Sequence, residues 1–375
     1  MQNWETKSFE DCIEPVKYTK KIPSKDYKDE GLYPIISQED ELISGYWDSE
    51  DDIFKVNSPV VIFGDHTRVL KYVDFDFVLG ADGVKILQPK EFLDAKYFLY
   101  FLKNTNIKSL GYARHYRLLK ELEILLPPLE EQKRIVKILD EKFAQLETVK
   151  ANAKTNFQNA KDLFQSQLTK AFSNSTWEKK RLGDCGTFKN GMNFASTDTG
   201  YTIRSLGVGD FKNLYQIDDT EQLSEISLKA APSEDYLLKD EDIVFVRSNG
   251  NKELVGRCLL VYPKNIPTTY SGFCIRFRKD HDELDADFLL HYMKAESSRK
   301  ILNGKEGANI SNLNQKILGD FEVPVPPLSE QKRIVEQLDS LSEKVRSLEE
   351  IYTKQLANCD ELKQAFLAKA FNGEL

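Results

Sequence analysis

The sequence predicts an α+β protein: two mixed α/β domains joined by two long helices that pair antiparallel as a coiled coil, in a pseudo-twofold cyclic arrangement. Three observations predict it. A helix-start motif occurs twice, an apolar seam runs on from each copy without glycine or proline, and the segments before them carry matched strand-like runs.

The duplication is the main signal. Residues 126–136, Leu-Pro-Pro-Leu-Glu-Glu-Gln-Lys-Arg-Ile-Val, return as residues 325–335, Val-Pro-Pro-Leu-Ser-Glu-Gln-Lys-Arg-Ile-Val. The register then holds: Leu139 matches Leu338, Asp140 matches Asp339, Leu168 matches Leu367, and Lys170-Ala-Phe matches Lys369-Ala-Phe. A weaker repeat opens each half, where Trp4-Glu5, Lys7 and Asp11-Cys12 recur as Trp177-Glu178, Lys180 and Asp184-Cys185. These boundaries divide the chain into 1–125 (globular), 126–173 (helical), 177–324 (globular) and 325–375 (helical). A linker of only Ser173-Asn-Ser-Thr176 precedes the second Trp-Glu, and Asn372-Gly-Glu-Leu375 could nearly meet Met1-Gln-Asn-Trp4 in the same manner. Two units are too few for a solenoid.

Each Pro-Pro pair sets a helix start, because proline suits the first turn and cannot continue an incoming element. Ser329 is expected as the N-cap of the second helix. Beyond it Ile334, Leu338, Leu341, Val345, Leu348, Tyr352, Cys359, Leu362 and Phe366 alternate in steps of three and four, broken only at Gln355. Ile135, Leu139, Phe143, Leu146, Val149, Ala153, Phe157, Ala160, Phe164 and Ala171 form a looser stripe on the first. Each helix covers about 40 residues, roughly 60 Å. A stripe that long stays out of water only by packing on its counterpart, and the chain order makes that pairing antiparallel. The competing reading, core helices of one compact domain, explains neither the length nor the seam.

In the globular parts, Val60–Phe63 and Val69–Val73 flank the turn Gly64-Asp65-His66-Thr67-Arg68. Ile243–Val246 and Leu259–Val261 flank a turn holding Arg247, Asn249 and Lys252. Both read as β-hairpins. Residues 75–87 and 271–278 read as further strands, and 94–103 and 287–299 as helices. Arg and Asn can pair bidentately with guanine or adenine edges, and a hairpin fits the major groove. His66, Arg68, Arg247, Asn249 and Lys252 are therefore candidate DNA contacts. A second polar cluster ends each globular part: Tyr112, Arg114, His115, Tyr116 and Arg117 in the first, Asn309, Ser311, Asn312, Asn314, Gln315 and Lys316 in the second. Of these, Arg114, His115, Arg117, Asn312, Asn314 and Lys316 are taken as candidate contacts. The alternative for each is an ordinary solvated loop.

Net charge is −8, with 41% hydrophobic and 30% charged residues. That composition suits globular domains and counts weakly against a nucleic-acid binder acting alone. No apolar run is long enough for a membrane span, and the start lacks the basic and apolar stretches of a secretory signal. The five scattered cysteines are expected as reduced thiols in a cytoplasmic protein, without a metal site. Asn-Pro-Pro-Tyr and Asp-Pro-Pro-Tyr are absent, Gly304-Lys305 lacks the rest of a phosphate loop, and the four histidines form no catalytic set. The chain is expected to be non-catalytic.

With its twin Pro-Pro-Leu-x-Glu-Gln-Lys-Arg-Ile-Val starts, the paired Trp-Glu openings and the closing Ala-Phe-Asn-Gly-Glu-Leu, the chain closely resembles type I restriction–modification specificity subunits along its whole length. Residues 63–68 and 80–84 also look like one class of target-recognition domain in that family. The resemblance implies two target-recognition domains, each reading one half of a bipartite double-stranded DNA site across a gap set by the helices. Two methyltransferase subunits would dock on the helical regions, carry S-adenosylmethionine and methylate adenine. Restriction subunits would join and cut DNA using ATP and magnesium. The modification subunits would share the phosphate contacts, which accounts for the acidity. No cofactor is expected on this chain. Pro127, Pro128, Gln132, Arg134 and their repeats Pro326, Pro327, Gln331 and Arg333 are the candidate partner contacts. A coiled-coil adaptor carrying two protein-binding domains is the alternative, disfavoured by the polar-basic turns at matched sites. An orphan or silent specificity subunit without restriction activity would share the fold.

Overall fold

The computed structural model describes residues 4–81, 83–111, 113–211, 215–302 and 312–375, and the side chain of Lys252 lies outside that description. The chain divides into two compact units, Met1–Lys154 with Tyr352–Leu375, and Thr155–Ile351. Each unit thus takes one globular part and part of each long helix.

The first unit opens with β1 (Glu5–Ser8), the single-turn helix α1 (Phe9–Cys12) and β2 (Ile13–Glu14). Short strands follow: β3 (Tyr33–Ile36), β4 (Gly45–Trp47), β5 (Ile53–Phe54), β6 (Val60–Gly64), β7 (Leu70–Val73) and β8 (Phe77–Leu79). Then come β9 (Val84–Pro89), α2 (Ala95–Asn104), α3 (Tyr116–Leu119), β10 (Glu123–Leu126) and the long helix α4 (Leu129–Ala171). The sheets run β2-β9-β6-β7 and β4-β3-β8-β5, and β1 pairs with β10.

The second globular part follows a related plan. It has β11 (Lys179–Arg181), α5 (Leu182–Cys185), β12 (Gly186–Asn190), β13 (Tyr201–Leu206), β14 (Gln216–Ile217) and β15 (Glu225–Leu228). Next are β16 (Asp242–Val246), β17 (Cys258–Val261), β18 (Thr268–Tyr270) and β19 (Cys274–Lys279). The part closes with α6 (Ala286–Lys294), α7 (Glu296–Leu302), α8 (Gln315–Gly319), β20 (Glu322–Pro324) and the long helix α9 (Leu328–Phe371). Its sheets run β12-β19-β16-β17-β14 and β15-β13-β18, and β11 pairs with β20.

The expected hairpins are β6–β7 and β16–β17, both antiparallel in the same register: Val60 faces Val73, and Asp242 faces Val261. Strand β6 is buried along its whole length because both faces are covered, so it reads as an unbroken apolar run. Val61 and Phe63 pack toward α2 and α4, while Val60 and Ile62 join a core with Ile36 and Leu79 of the second sheet. In the second unit Ile243 and Phe245 pack with α6, and Val244 and Val246 pack with Leu206 and Tyr270.

The long helices run unbroken for 43 and 44 residues. Within the first unit Ile135, Leu139, Phe143 and Leu146 of α4 share a core with Cys359, Leu367, Ala370 and Phe371 of α9. Lys363 Nζ lies 3.4 Å from Glu147 there, and Lys150 pairs with Asp360. Within the second unit Leu168 joins Ile334 and Leu338, and Lys161 Nζ lies 3.8 Å from Glu349. Partner numbers fall on one helix as they rise on the other, so the segments pack antiparallel as expected.

The seam departs from the expectation at several points. Val149, Leu348 and Leu362 are exposed, and Leu168 and Leu367 are buried instead. A helix of 3.6 residues per turn drifts off a strict 3.5-residue repeat, which carries the later apolar positions around the surface. Helix α9 begins at Leu328, so Ser329 lies inside its first turn, and the Pro327 carbonyl accepts from the amides of Glu330 and Gln331. The helix expected over 287–299 is two helices, broken at Ala295, whose backbone is extended (ψ 139°). The stretch expected as strand over 75–87 holds two strands, β8 and β9.

One buried glutamine in each unit ties the globular part to its long helix. Gln132 Nε2 donates to the carbonyls of Phe92 (3.0 Å) and Pro127 (2.9 Å), and its Oε1 accepts from the Asp94 amide (2.8 Å). Gln331 repeats this with Glu283 (2.8 Å), Pro326 (2.7 Å) and the Asp285 amide (2.8 Å). Asp94 and Asp285 in turn cap α2 and α6. A second tie is also duplicated: Tyr100 bonds Asp140, and His291 Nε2 lies 2.8 Å from Asp339. Gln132→Ala or Gln331→Ala strands a buried amide and two carbonyls, so each is expected to destabilise its unit by about 2–3 kcal/mol. Urea unfolding of the full chain checks this, and a change under about 0.5 kcal/mol, the level of an ordinary surface substitution, counts against the tie.

Candidate nucleic-acid interface

In each unit the structure brings together the two polar clusters that sequence distance separates. In the first, the hairpin turn closes through Gly64 N to Val69 O (2.8 Å) and Arg68 N to Gly64 O (2.7 Å). Arg68 sits there at φ 64°, a left-handed conformation that closes the turn. The turn is buttressed from a neighbouring loop, since Thr67 Oγ1 donates to Gln38 O (2.6 Å) and Gln38 Oε1 accepts from His66 N (3.2 Å). Gln38 carries no sequence signal beyond its polarity.

The loop before α3 is pinned to this turn by Asp65. The buried Asp65 carboxylate accepts from Tyr116 N (2.7 Å), and its carbonyl accepts from His115 N (2.8 Å). His115 is itself fully buried, with Nδ1 2.9 Å from Asp65 O and Nε2 accepting from Leu110 N (2.9 Å). It therefore holds the two loops together and is not available to touch DNA, which corrects the sequence expectation. Burial also pushes the Tyr116 phenol above its ordinary range. His66 and Arg114 are exposed on these loops, and Arg117 is exposed on α3. The Arg68 guanidinium is exposed too but donates to Ile107 O (3.0 Å). Tyr112 lies outside the described residues.

The second unit repeats the juxtaposition. Arg247 N donates to Phe273 O (2.7 Å), Arg247 O accepts from Leu313 N (2.8 Å), and Ser248 bridges to Asn312. Asn249 and Asn312 thus meet on the wall of a recess of about 450 Å³, with Val208, Ser248, Gly250, Ser271 and Phe273. Both asparagines are exposed and Arg247 is half-buried. Asn249 Oδ1 already accepts from Asn251 N (2.8 Å), which leaves its amide donors and one lone pair for a base. Asn314 serves structure, because its Oδ1 caps α8 at Ile317 N (2.9 Å). Lys316 pairs with Asp320 one turn on and lines no part of the recess. The Lys252 side chain, Asn309 and Ser311 lie outside the described residues. Behind the same hairpin, Arg257, Lys294 and Arg299 line a second recess, where burial chiefly pulls the Lys294 ammonium down to about 8. Val208, Ser271 and Phe273 also line the recess with no signal for it in the sequence, where 271–278 reads as strand throughout.

The sequence model of the type I restriction modification DNA specificity domain matches twice, over residues 1–155 and 174–356. The chain belongs to this family of type I DNA specificity proteins. Among relatives, the type I restriction enzyme StySPI specificity subunit of Salmonella potsdam is 28% identical over 341 residues, covering 83% of this chain and 71% of its own. The EcoR124I/EcoR124II specificity subunit of Escherichia coli is 26% identical over 375 residues, covering 94% of this chain and 88% of its own. A solved chain from work on complex assembly and conformational transition of the type I R-M system superposes with a TM-score of 0.78 at 18% identity. It covers 100% of this chain and 99% of its own length. The HsdS subunit from Thermoanaerobacter tengcongensis gives a TM-score of 0.57 at 18% identity, covering 100% and 98%. Both share the fold of this specificity protein.

The partner-contact candidates of this specificity protein divide by burial. Gln132 is 1% exposed and Gln331 0%, and both are spent on the ties described above. Pro127 and Pro326 are buried as well, with their carbonyls bonded to those glutamines. Gln132 and Gln331 are thereby removed as surface contacts, while Pro127 keeps only the edge that lines a recess beside Trp4 and Phe92. Pro128, Pro327, Arg134 and Arg333 stay at the surface. Arg134 chelates Glu131 (both contacts 2.7 Å) and donates to Leu375 O (2.6 Å), and Arg333 chelates Glu330 (2.8 and 2.7 Å).

Proposed function

We propose that this chain is the DNA-reading subunit of a type I restriction–modification complex. Each unit reads one half of a bipartite duplex site through its hairpin turn and the loop pinned beside it. The duplicated juxtaposition of two polar loops, Asp65 with His115 and Arg247 with Leu313, carries the reading, since an adaptor of protein-binding domains has no use for it. In this reading the chain performs no chemistry. Two methyltransferase subunits dock on the helical regions around Pro128, Pro327 and the exposed arginines, and bring S-adenosylmethionine to adenine in each half-site. Restriction subunits supply ATP- and magnesium-dependent cleavage. Among the described residues no helix is long and apolar enough to cross a membrane. A cytoplasmic location, where the DNA lies, completes the proposal.

Residue types separate the roles. Asn249→Ala is expected to cost roughly 1–3 kcal/mol of discrimination at one position of the second half-site. Arg114→Ala and Arg117→Ala remove exposed cations suited to phosphate, so each should weaken all sequences alike and lower the salt slope by about 1. Affinity of the reconstituted complex for a panel of variant duplexes, measured at several salt concentrations, checks both. A specificity change from the arginines, or a uniform loss from Asn249→Ala, reverses the assignment.

A further inference from the structure

We propose that Phe273 is a specificity-determining residue of the second unit that reads a thymine by packing its ring on the C5-methyl group. The inference rests on the DNA-reading function above and names a contact within it. Phe273 is 59% exposed, the most exposed aromatic side chain among the described residues, although Tyr270 and Cys274 around it are fully buried.

The exposure belongs to a fixed piece of backbone. Phe273 O accepts from Arg247 N (2.7 Å) and from Ser248 N (3.4 Å), and Phe273 N donates to Ser271 Oγ (3.3 Å). Gly272 N donates to Met192 O (2.7 Å), and a Cβ at Gly272 would fall 2.0 Å from Asn193 Oδ1. That loop is thus locked on both sides. Burial pushes the Cys274 thiol up to about 12, which makes it a neutral apolar anchor at the strand start. The chain therefore presents an apolar ring to solvent on a backbone held at both of its flanks.

Its surroundings say what the ring meets. The recess it lines holds Ser248, Asn249, Gly250, Ser271 and Asn312, so a ring stands beside hydroxyls and carboxamides. On a major-groove edge the thymine methyl is the one apolar group, and adenine offers the donor–acceptor pair that a carboxamide matches. Ring and amides together fit an A·T pair or neighbouring A·T pairs. The corresponding loop of the first unit, Gly80-Ala-Asp-Gly83, carries no aromatic residue, so this reading is confined to one half of the target.

The test uses the chain assembled with its methyltransferase subunits. Every thymine of the second half-site, on either strand, is replaced one at a time by uracil, which removes the methyl and nothing else. The expected result is one position where uracil lowers the methylation rate at limiting DNA about tenfold. Phe273→Ala is expected to abolish the thymine–uracil difference there and to leave the first half-site untouched. Phe273→Leu, which keeps an apolar body, is expected to retain part of it. A wild-type complex indifferent to every uracil overturns the proposal, as does a Phe273→Ala complex that still distinguishes the two bases. A wild-type complex with no base preference in that half-site at all overturns the DNA-reading function itself, and so is told apart from failure of the Phe273 contact alone.

Discussion

Replacing residues 177–324 with the equivalent segment of another type I specificity subunit rewrites one half of the methylated site and leaves the other half intact. The expectation follows from how each globular part is closed. In the second unit β11 pairs with β20, so the segment ends where it begins, just as β1 pairs with β10 in the first. The exchanged piece takes its hairpin, pinned loop and recess with it as a set. What it must accept from the host includes the Gln331 bonds to Glu283 O and the Asp285 amide, the His291–Asp339 bond, the aromatic contacts of Phe172 with Phe288 (5.3 Å) and Tyr292 (5.2 Å), and packing on Leu168, Ile334 and Leu338. A donor that keeps an N-cap and an aromatic at those places should fold in the host. Sequencing of methylated adenines in cells expressing the exchange reads the outcome. Simultaneous change of both half-sites counts against independent reading.

A large stability effect is expected at Asp242 and Arg278. Asp242 opens β16 with its side chain fully buried, chelated by Arg278 through Nε (2.8 Å) and Nη2 (2.7 Å) and bonded by Lys239 N (2.7 Å). Burial outweighs these bonds and raises the carboxyl above its usual range. Arg278→Gln leaves that carboxylate without its cation and should cost about 3–5 kcal/mol, enough to unfold a marginal unit. The first unit shows the alternative. By strand register Val60 occupies the place of Asp242 and Gln88 that of Arg278. The double variant Asp242→Val/Arg278→Gln should therefore recover most of the loss, because replacing a buried pair with apolar packing is often neutral. Urea midpoints of the two variants decide. A double variant no better than the single one shows that the pair does more than neutralise its own burial.

The duplication was legible because it repeats identities in register, and two of the repeated pairs have a clear physical task. The two glutamines hold the two helix caps, and Phe172 and Phe371 pack on the same faces of α6 and α2. The hairpins were legible because a strand covered on both faces is apolar throughout. What the sequence hid were contacts made by backbone groups. Asp65 O to His115 N and Arg247 O to Leu313 N join loops some fifty or more residues apart and leave no trace in side-chain pattern. For the same reason His115, polar and set among basic residues, read as a surface contact while it is a buried brace. Phe273 read as strand interior because an apolar residue beside an apolar run carries no sign of which side of the strand boundary it occupies.

In the proposed function two separate readers address two separate half-sites at a spacing the helices set. Mapping of methylated adenines for the wild-type chain and for a variant with four residues inserted in α4, about one helical turn or ~6 Å, tests it most directly. The expected result is a split motif whose halves are unchanged by the insertion and whose gap grows. A contiguous motif, or a split motif with the same gap in both proteins, would contradict it.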